Sequence, residues 1–376
     1  MKEILQRCVE TVLPDRKGLE ALLKKKKIRV YLGVDPTSPD LHLGHTIALR
    51  KLKEFEDLGH ETILLFGTFT AQIGDPSGRD EQRKPLSPAE VSQNTERYQE
   101  QTAKILDFSK TKIRRNNEWL SKLTLTEVLK LASHFTISQL VERDMFQARM
   151  KKGGEVWVHE FLYPLMQGYD SVALDVDLEI GATDQLFNML VGRKLQNIYH
   201  DREKYVLTVP LLPGLDGRKM SKTYGNAVNL LDPPQEMYGK LMTLRDNLIP
   251  TYFELCTSSA PPNLPPRDRK AALAKEIVAL YHGRKAAASA EKEFVRVFQK
   301  KQAPSTVPSY SLTKKTALVD LLVAAKLASS KSEARRLVSQ KGVKINSAVQ
   351  TDGTKIISPG TEAMVQVGKR RFLQLI

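Results

Sequence analysis

The sequence predicts an α/β protein with a Rossmann-like parallel sheet, followed by a helical domain and a small C-terminal α+β domain. Three observations carry that prediction. Residues 28–66 read as strand, helix and strand within the length of one crossover unit. Residues 233–300 hold a mainly helical pattern, and the basic tail beyond residue 312 combines a helix-start signal with short β-like runs.

Taken in order, residues 1–27 read as one or two helices ending in Lys24-Lys25-Lys26-Lys27, a solvated end that suits the helix dipole. Residues 28–34 are apolar and β-rich enough for a strand. Ala48, Leu49, Leu52 and Phe55 then recur at helical spacing until Gly59, and residues 62–66 form a second apolar run. A helix joining two strands in this way implies a parallel pair, whose ligands bind beyond the carboxyl ends of the strands. Residues 67–83 form a loop leaving such an end, where Asp75, Arg79 and Arg83 supply both charge signs. Residues 88–140 are mainly helical. Residues 157–170 read as a helix whose polar edge is Tyr163, Gln167 and Asp170, spaced four and three apart, with Pro164 requiring either the first turn or a kink. A strand is expected over 172–180, a helix from about Leu186 and a strand over 205–212. The Pro, Ser and Thr content of 302–312 marks a linker. In the tail, Ser330-Lys331-Ser332-Glu333 is a capping-box candidate. Lys331 and Arg335 stand one turn apart with Arg336 beside them, Lys341 follows, Gly342 closes the helix, and β-like pieces follow at 343–346, 364–367 and 372–376. The domain boundaries so read are 1–215, 216–301, the linker 302–312, and 313–376.

A net charge of +15 over 376 residues favours a polyanionic partner, because phosphate backbones reward Lys and Arg through counterion release. Generic basic solubility is the plainer explanation, but the distribution argues against it. Twelve Lys/Arg stand against four Asp/Glu between Tyr310 and Ile376, more than half of the excess on less than a fifth of the chain. Cys8 and Cys256 alone support neither a disulfide framework nor a cysteine-based zinc site. With no signal-peptide core and no apolar run long enough to span a bilayer, a cytoplasmic protein without a membrane partner is expected.

The chemistry concentrates in two motifs. Asp35-Pro36-Thr37-Ser38-Pro39-Asp40-Leu41-His42-Leu43-Gly44-His45 places two histidines at a helix start, where unpaired N–H groups and partial positive charge suit phosphate, and Gly44 lets a flat ligand approach the backbone. A zinc pair is disfavoured because no third ligand lies nearby, and no metal site is assigned. Far downstream, Gly217-Arg218-Lys219-Met220-Ser221-Lys222-Thr223 carries two lysines on a polar loop that could fold over triphosphate.

His-x-Gly-His followed by Lys-Met-Ser-Lys is the paired signature of class I aminoacyl-tRNA synthetases. Gly74-Asp75-Pro76-Ser77-Gly78, residues 163–170 and Gly181-Ala182-Thr183-Asp184-Gln185 resemble the bacterial tyrosyl-tRNA synthetases in the same order, across essentially the whole chain. That resemblance implies tyrosine, ATP (accompanied by Mg2+) and tyrosine tRNA as substrates, a homodimer formed through an insertion in the nucleotide-binding fold, and an RNA-binding tail of the ribosomal-protein type using Lys331, Arg335, Arg336 and Lys341. It assigns Tyr31 and Asp170 to the phenol hydroxyl, Asp75, Tyr163 and Gln167 to the ammonium, and Gln185 to the carboxylate side. Asp35, Thr37, His42, Gly44, His45, Asp184 and Lys222 fall to ATP, with Lys219, Thr223, Arg79 and Arg83 also closing over pyrophosphate. The chain departs from the common pattern at Leu32, Arg79, Glu179, Ala182 and Leu186, with Glu179 bearing on the surroundings of the site. Two rivals remain: a tryptophanyl relative, against which the basic tail and the Tyr31/Asp170 pair stand, and a non-catalytic RNA-binding descendant, against which the intact motifs stand.

Overall fold

The computed structural model describes residues 3–77, 85–142, 144–220, 224–300, 302, 307–368 and 371–376. It comprises two compact units, Met1–Ala287 and Ala288–Ile376.

The first unit is built on a six-stranded sheet of strands β1 (Thr11–Leu13), β2 (Arg29–Val34), β3 (Glu61–Phe66), β4 (Lys112–Arg115), β5 (Leu178–Ala182) and β6 (Tyr205–Val209), in the order β1-β6-β5-β2-β3-β4. All neighbours are parallel except β1, which runs antiparallel to β6. The central strands β2 and β3 are apolar almost throughout, as strands covered on both faces must be. Helix Leu43–Asp57 makes the crossover from β2 to β3, burying Ile47, Leu49, Leu52 and Phe55. On the other side of the order, helices Val158–Leu174 and Leu186–His200 flank β5 and lie close to each other.

Several expected elements shift. The N-terminal stretch is not purely helical: a short 3₁₀ turn, Glu3–Leu5, and β1 precede the helix Arg16–Lys25. β4 falls in a stretch read as helical, its Lys-Ile-Arg-Arg sequence suiting an edge strand. The strand expected from Val172 begins only at Leu178, because the preceding helix continues to Leu174 and ends at Asp175 in the left-handed conformation (φ 49°). Pro164 sits seven residues into that helix, so the Glu160 carbonyl loses its usual intrahelical donor.

In the second unit, helices Leu318–Ala324 and Lys331–Ser339 share a core with a five-stranded sheet, through Leu321, Leu322, Ala334, Val338, Val343, Val365 and Leu375. Ser330 accepts from the Glu333 N–H at 3.2 Å, but the Glu333 carboxylate reaches Ser329 rather than closing a capping box on Ser330. Lys341, left-handed at φ 56°, ends the helix one residue before the glycine expected to do so. Ser309–Tyr310, inside the stretch read as linker, forms a strand parallel to Arg371–Leu375.

One buried cation ties the N-terminus to the crossover helix. Lys51 is 1% exposed, and its ammonium donates to the carbonyls of Ile4 (2.8 Å) and Arg7 (2.9 Å) and to Glu54 (2.6 Å). A buried ammonium is tolerated only when its donors are satisfied, and here those donors also satisfy the N-terminal turn. Lys51→Met keeps the length of the side chain and strands both carbonyls. Unfolding stability should fall by about 1–3 kcal/mol, read as a lower denaturation midpoint at unchanged m-value.

Candidate active site

The site lies at the carboxyl ends of the parallel strands. His42 immediately precedes the helix Leu43–Asp57 and His45 stands in its first turn. The His42 N–H donates to His45 Nδ1 at 3.1 Å, which places the proton of the neutral His45 ring on Nε2. The two rings lie 3.9 Å apart between centroids. A Cβ at position 44 would come within 3.1 Å of the His42 ring, so Gly44 makes room for that ring in addition to any ligand.

Backbone pairing brings the second motif to the first. Leu43 N donates to Val228 O and Leu230 N to Leu41 O, both at 2.9 Å, so residues 228–230 run antiparallel to 41–43. Just upstream, Gly214 N donates to Arg218 O (2.7 Å), and the Asn226 amide holds the Lys219 carbonyl (3.1 Å) and Asp216 (2.8 Å). Asn226 and Arg218 hold the Asp216 carboxyl down at about 2. A Cβ on Gly214 would meet the Asn226 amide at 2.2 Å, which accounts for the glycine. The Lys219 ammonium stands 3.8 Å from the Asp184 carboxylate, in the turn Thr183–Gln185 that follows β5. Burial pushes the Asp184 carboxyl up, Lys219 opposes that shift and Asp75 adds to it. Arg79, Arg83, Lys222 and Thr223 lie outside the described residues. Thr37, half-buried, is held by its N–H to the Asp35 carbonyl at 2.8 Å.

Beside the motifs lies a polar pocket. Tyr163 donates its hydroxyl to Asp35 Oδ2 (2.9 Å) and Thr70 to Asp35 Oδ1 (2.7 Å). Gly67 permits this arrangement, since a Cβ there would fall 1.9 Å from Asp35. Gln185 donates to Asp75 Oδ2 (2.7 Å) and accepts from Asn188 (3.0 Å), while the Ser77 N–H closes on Asp75 Oδ1 (2.9 Å). Gln167 donates to Glu179 at 3.4 Å, and its carbonyl oxygen is buried without a protein donor.

Deeper in, Asp170 is 3% exposed and accepts from the Trp119 indole (2.8 Å) and the Asn116 amide (3.2 Å). Burial pushes its carboxyl well above the usual carboxylate range, against those two donors, with Asp35 and Glu179 adding to the shift. Tyr31, 1% exposed, lies against Ile63, Leu65, Leu174, Val176 and Trp119, and its hydroxyl meets Ser171 Oγ at 3.0 Å. The structure therefore brings Tyr163, Gln167 and Asp170 to one side of their helix as the spacing required, but gives each a different protein partner.

Sequence reading missed Trp119, Asn116, Thr70, Ser171 and Lys204. Asn116 and Trp119 follow β4, the charged edge strand that helical periodicity concealed. Lys204, fully buried just before β6, carried no local signal at all.

The family model described as class I tRNA synthetases (W and Y) matches residues 23–299, and that of the tyrosine–tRNA ligase SYY-like C-terminal domain matches 299–373. The tyrosine–tRNA ligase of Thermotoga maritima is 47% identical, covering 99% of this chain and 96% of its own. That of Carboxydothermus hydrogenoformans is 46% identical, covering 100% and 97%. Among solved structures, a C-terminally truncated mitochondrial tyrosyl-tRNA synthetase of Aspergillus nidulans superposes with TM-score 0.66 at 24% identity, over 79% of this chain and 93% of that one. The L-tyrosine complex of the Archaeoglobus fulgidus tyrosyl-tRNA synthetase gives 0.60 at 24%, over 77% and 98%. At that identity the structural likeness speaks to the fold alone.

Proposed function

Because the chain belongs to the class I aminoacyl-tRNA synthetases, in the tyrosine–tRNA ligase family, we propose that its carboxyl-edge site divides the reaction between a phosphate clamp and a tyrosine pocket. The reaction activates tyrosine with ATP to tyrosyl-adenylate and pyrophosphate, then transfers tyrosine to the 3′-terminal adenosine of its tRNA. The observation that supports the division of labour is the antiparallel pairing of 228–230 with 41–43, which ties the segment following the lysine motif to the histidine motif.

In the first step a tyrosine carboxylate oxygen attacks the α-phosphate as the bond to pyrophosphate breaks. Charge grows on the departing phosphates, so donors preorganised there lower the barrier and no enzyme nucleophile is needed. His45 Nε2–H, His42, Thr37 and the helix N-terminus serve this end. Lys219 exchanges its long contact with Asp184 for phosphate, and Lys222, Thr223, Arg79 and Arg83 complete the clamp as the family resemblance implies. Asp35 and Asp184 take the ATP side. Mg2+ arrives with ATP as part of the substrate, held by phosphate and water. The amino-acid ammonium meets Asp75, Tyr163 and the Gln167 carbonyl oxygen, a buried acceptor suited to it. Gln185 sits by the carboxylate, and Tyr31 and Asp170 read the hydroxyl. Sites of this kind, for which tyrosine-activating enzymes are the usual example, reject an analogue lacking the hydroxyl because their polar groups are left unpaired.

The exposed Lys331, Arg335, Arg336 and Lys341 give the second unit a basic side for tRNA, with Lys331 also paired to Asp320 at 2.8 Å. The first unit leaves Leu125 (74%), Leu129 (61%), Ile137 (77%) and Val158 (77%) exposed, an apolar set that supports a homodimer. No helix among the described residues is long and apolar enough to cross a membrane; for a chain whose relatives are bacterial ligases, the cytoplasm is the compartment we propose.

Tyrosine should drive pyrophosphate exchange into ATP with a kcat/KM far above that of phenylalanine or tryptophan, and His45→Ala should lower kcat by ~10²–10³. Exchange driven by tryptophan would overturn the assignment of the pocket. The Trp119→Phe variant removes a donor that steadies the ionised Asp170, so its pKa rises further. The acid limb of kcat/KM for tyrosine should accordingly move to higher pH; an unmoved limb removes Asp170 from substrate reading. In sedimentation, Leu129→Asp with Ile137→Asp should convert a dimer into a monomer.

A further inference from the structure

Among the described residues, Lys204 is the one fully buried cation beside the tyrosine pocket. It stands immediately before β6, 0% exposed, ion-paired to Glu179 and 2.7 Å from Ser171 Oγ. Glu179 is itself in register with Tyr31 on the neighbouring parallel strand, so the two side chains project to the same face of the sheet. Ser171, also 0% exposed, comes from helix Val158–Leu174 and completes the group.

The polarity of these contacts follows from their chemistry. An ammonium only donates, so Ser171 Oγ must accept from Lys204. The single Ser171 proton then has two oxygens within reach: Tyr31 at 3.0 Å and Glu179 Oε2 at 3.4 Å. The second distance is long for an O–H···O bond, and Glu179 Oε2 already receives the ammonium, so the proton goes to Tyr31. The Tyr31 proton is thereby turned away from Ser171, with the Glu179 carboxylate as the protein acceptor it leaves for a substrate phenol. Burial, with Glu179 and Asp170 nearby, pushes the Tyr31 phenol well above its ordinary range, so that proton stays in place.

We propose that Lys204 is a positioning residue for amino-acid selection: it fixes a one-way hydrogen-bond chain, Lys204 to Ser171 to Tyr31, that presents the Tyr31 hydroxyl as a donor to the substrate phenol. The inference rests on the reading of Tyr31 and Asp170 as the hydroxyl-binding pair. With Tyr31 donating and Asp170 accepting, the incoming group must accept on one side and donate on the other. A hydroxyl does both, and a phenyl hydrogen does neither. Glu179 has two tasks in this arrangement, since one oxygen holds the ammonium and the other receives Gln167.

An independent feature makes room for the chain. Gly192 lies inside helix Leu186–His200, where glycine weakens a helix relative to alanine. A Cβ there would fall 2.6 Å from the Lys204 ammonium and 2.7 Å from Ser171 Oγ. Any side chain at position 192 would displace the two groups that set the polarity.

The test compares Lys204→Met, Ser171→Ala, and the neutral pair Lys204→Met with Glu179→Gln, which leaves no buried charge unpaired and so protects folding. Pyrophosphate exchange is measured with tyrosine and with phenylalanine, separating kcat from KM and recording KM for ATP. In all three variants kcat/KM for tyrosine should fall about tenfold or more, while that for phenylalanine and the KM for ATP stay within about twofold. Ser171→Ala added to Lys204→Met should cost no more than either alone, as members of one chain must. An unchanged tyrosine-to-phenylalanine ratio in the folded neutral pair would overturn the proposal, as would an equal loss for both amino acids. A wild-type enzyme with no preference for tyrosine would overturn the reading of Tyr31 and Asp170 as well; a wild-type preference retained alongside unaffected variants removes Lys204 alone.

Discussion

Two backbone hydrogen bonds, from Leu43 to Val228 and from Leu230 to Leu41, hold the two halves of the site together. The motifs they join are far apart in the chain, and the sheet alone cannot bring them into contact, because β6 ends at Val209 before the lysine loop begins. A short antiparallel pairing solves the problem at the first turn of the crossover helix, where an unsatisfied N–H would otherwise need a partner. The described residues of the loop before it, 210–220 and 224–227, are anchored at both ends. Upstream, Asn226 grips the Lys219 carbonyl and Asp216; downstream, the 228–230 segment is fixed to the helix start. A lysine on such a loop can reach different partners without disturbing the scaffold.

Lys219 and Lys204 are held in opposite ways. Lys219 is 57% exposed in its side chain and stands 3.8 Å from Asp184, a contact that contributes little. Lys204 is enclosed on all sides and bound to Glu179 and Ser171, so removing one partner would leave a charge stranded in low dielectric. Around them stand Asp35, Asp75, Asp170, Glu179 and Asp184. Burial pushes the Asp170 and Asp184 carboxyls upward, and the neighbouring carboxylates add to the shift. Such a site gains from any incoming cation. The ammonium of an amino acid supplies one.

The parallel βαβ core, the helix start at His42 and the polar edge of Tyr163, Gln167 and Asp170 were legible in the sequence, because burial and helical spacing write those features into periodic patterns. What was illegible depends on contacts between distant residues. β1 is three residues long and β4 is charged, so neither shows the apolar alternation of a strand. With β4 hidden, Asn116 and Trp119 could not be placed beside Asp170. Gly67 and Gly192 read as ordinary glycines until the side chains opposite them, Asp35 and Lys204, are known. The motif alone does not show that Gly44 also makes room for the His42 ring.

Register explains why the departures from the family pattern differ in consequence. Tyr31 and Glu179 are ladder partners, and a shift of one residue would turn both to the opposite face. Leu32 is the next residue along β2, in register with Leu64 and Ile180 and 3% exposed, so its apolar side chain belongs to the opposite, fully covered face. A leucine there completes a core and takes nothing from the face that carries Tyr31 and Glu179. Glu179 is another matter, since a carboxylate on that face needs a cation, and the chain provides it from the residue before β6, the next strand over. The substituted acid and the buried lysine are therefore intelligible only as a pair. Each would be a buried, unpaired charge without the other.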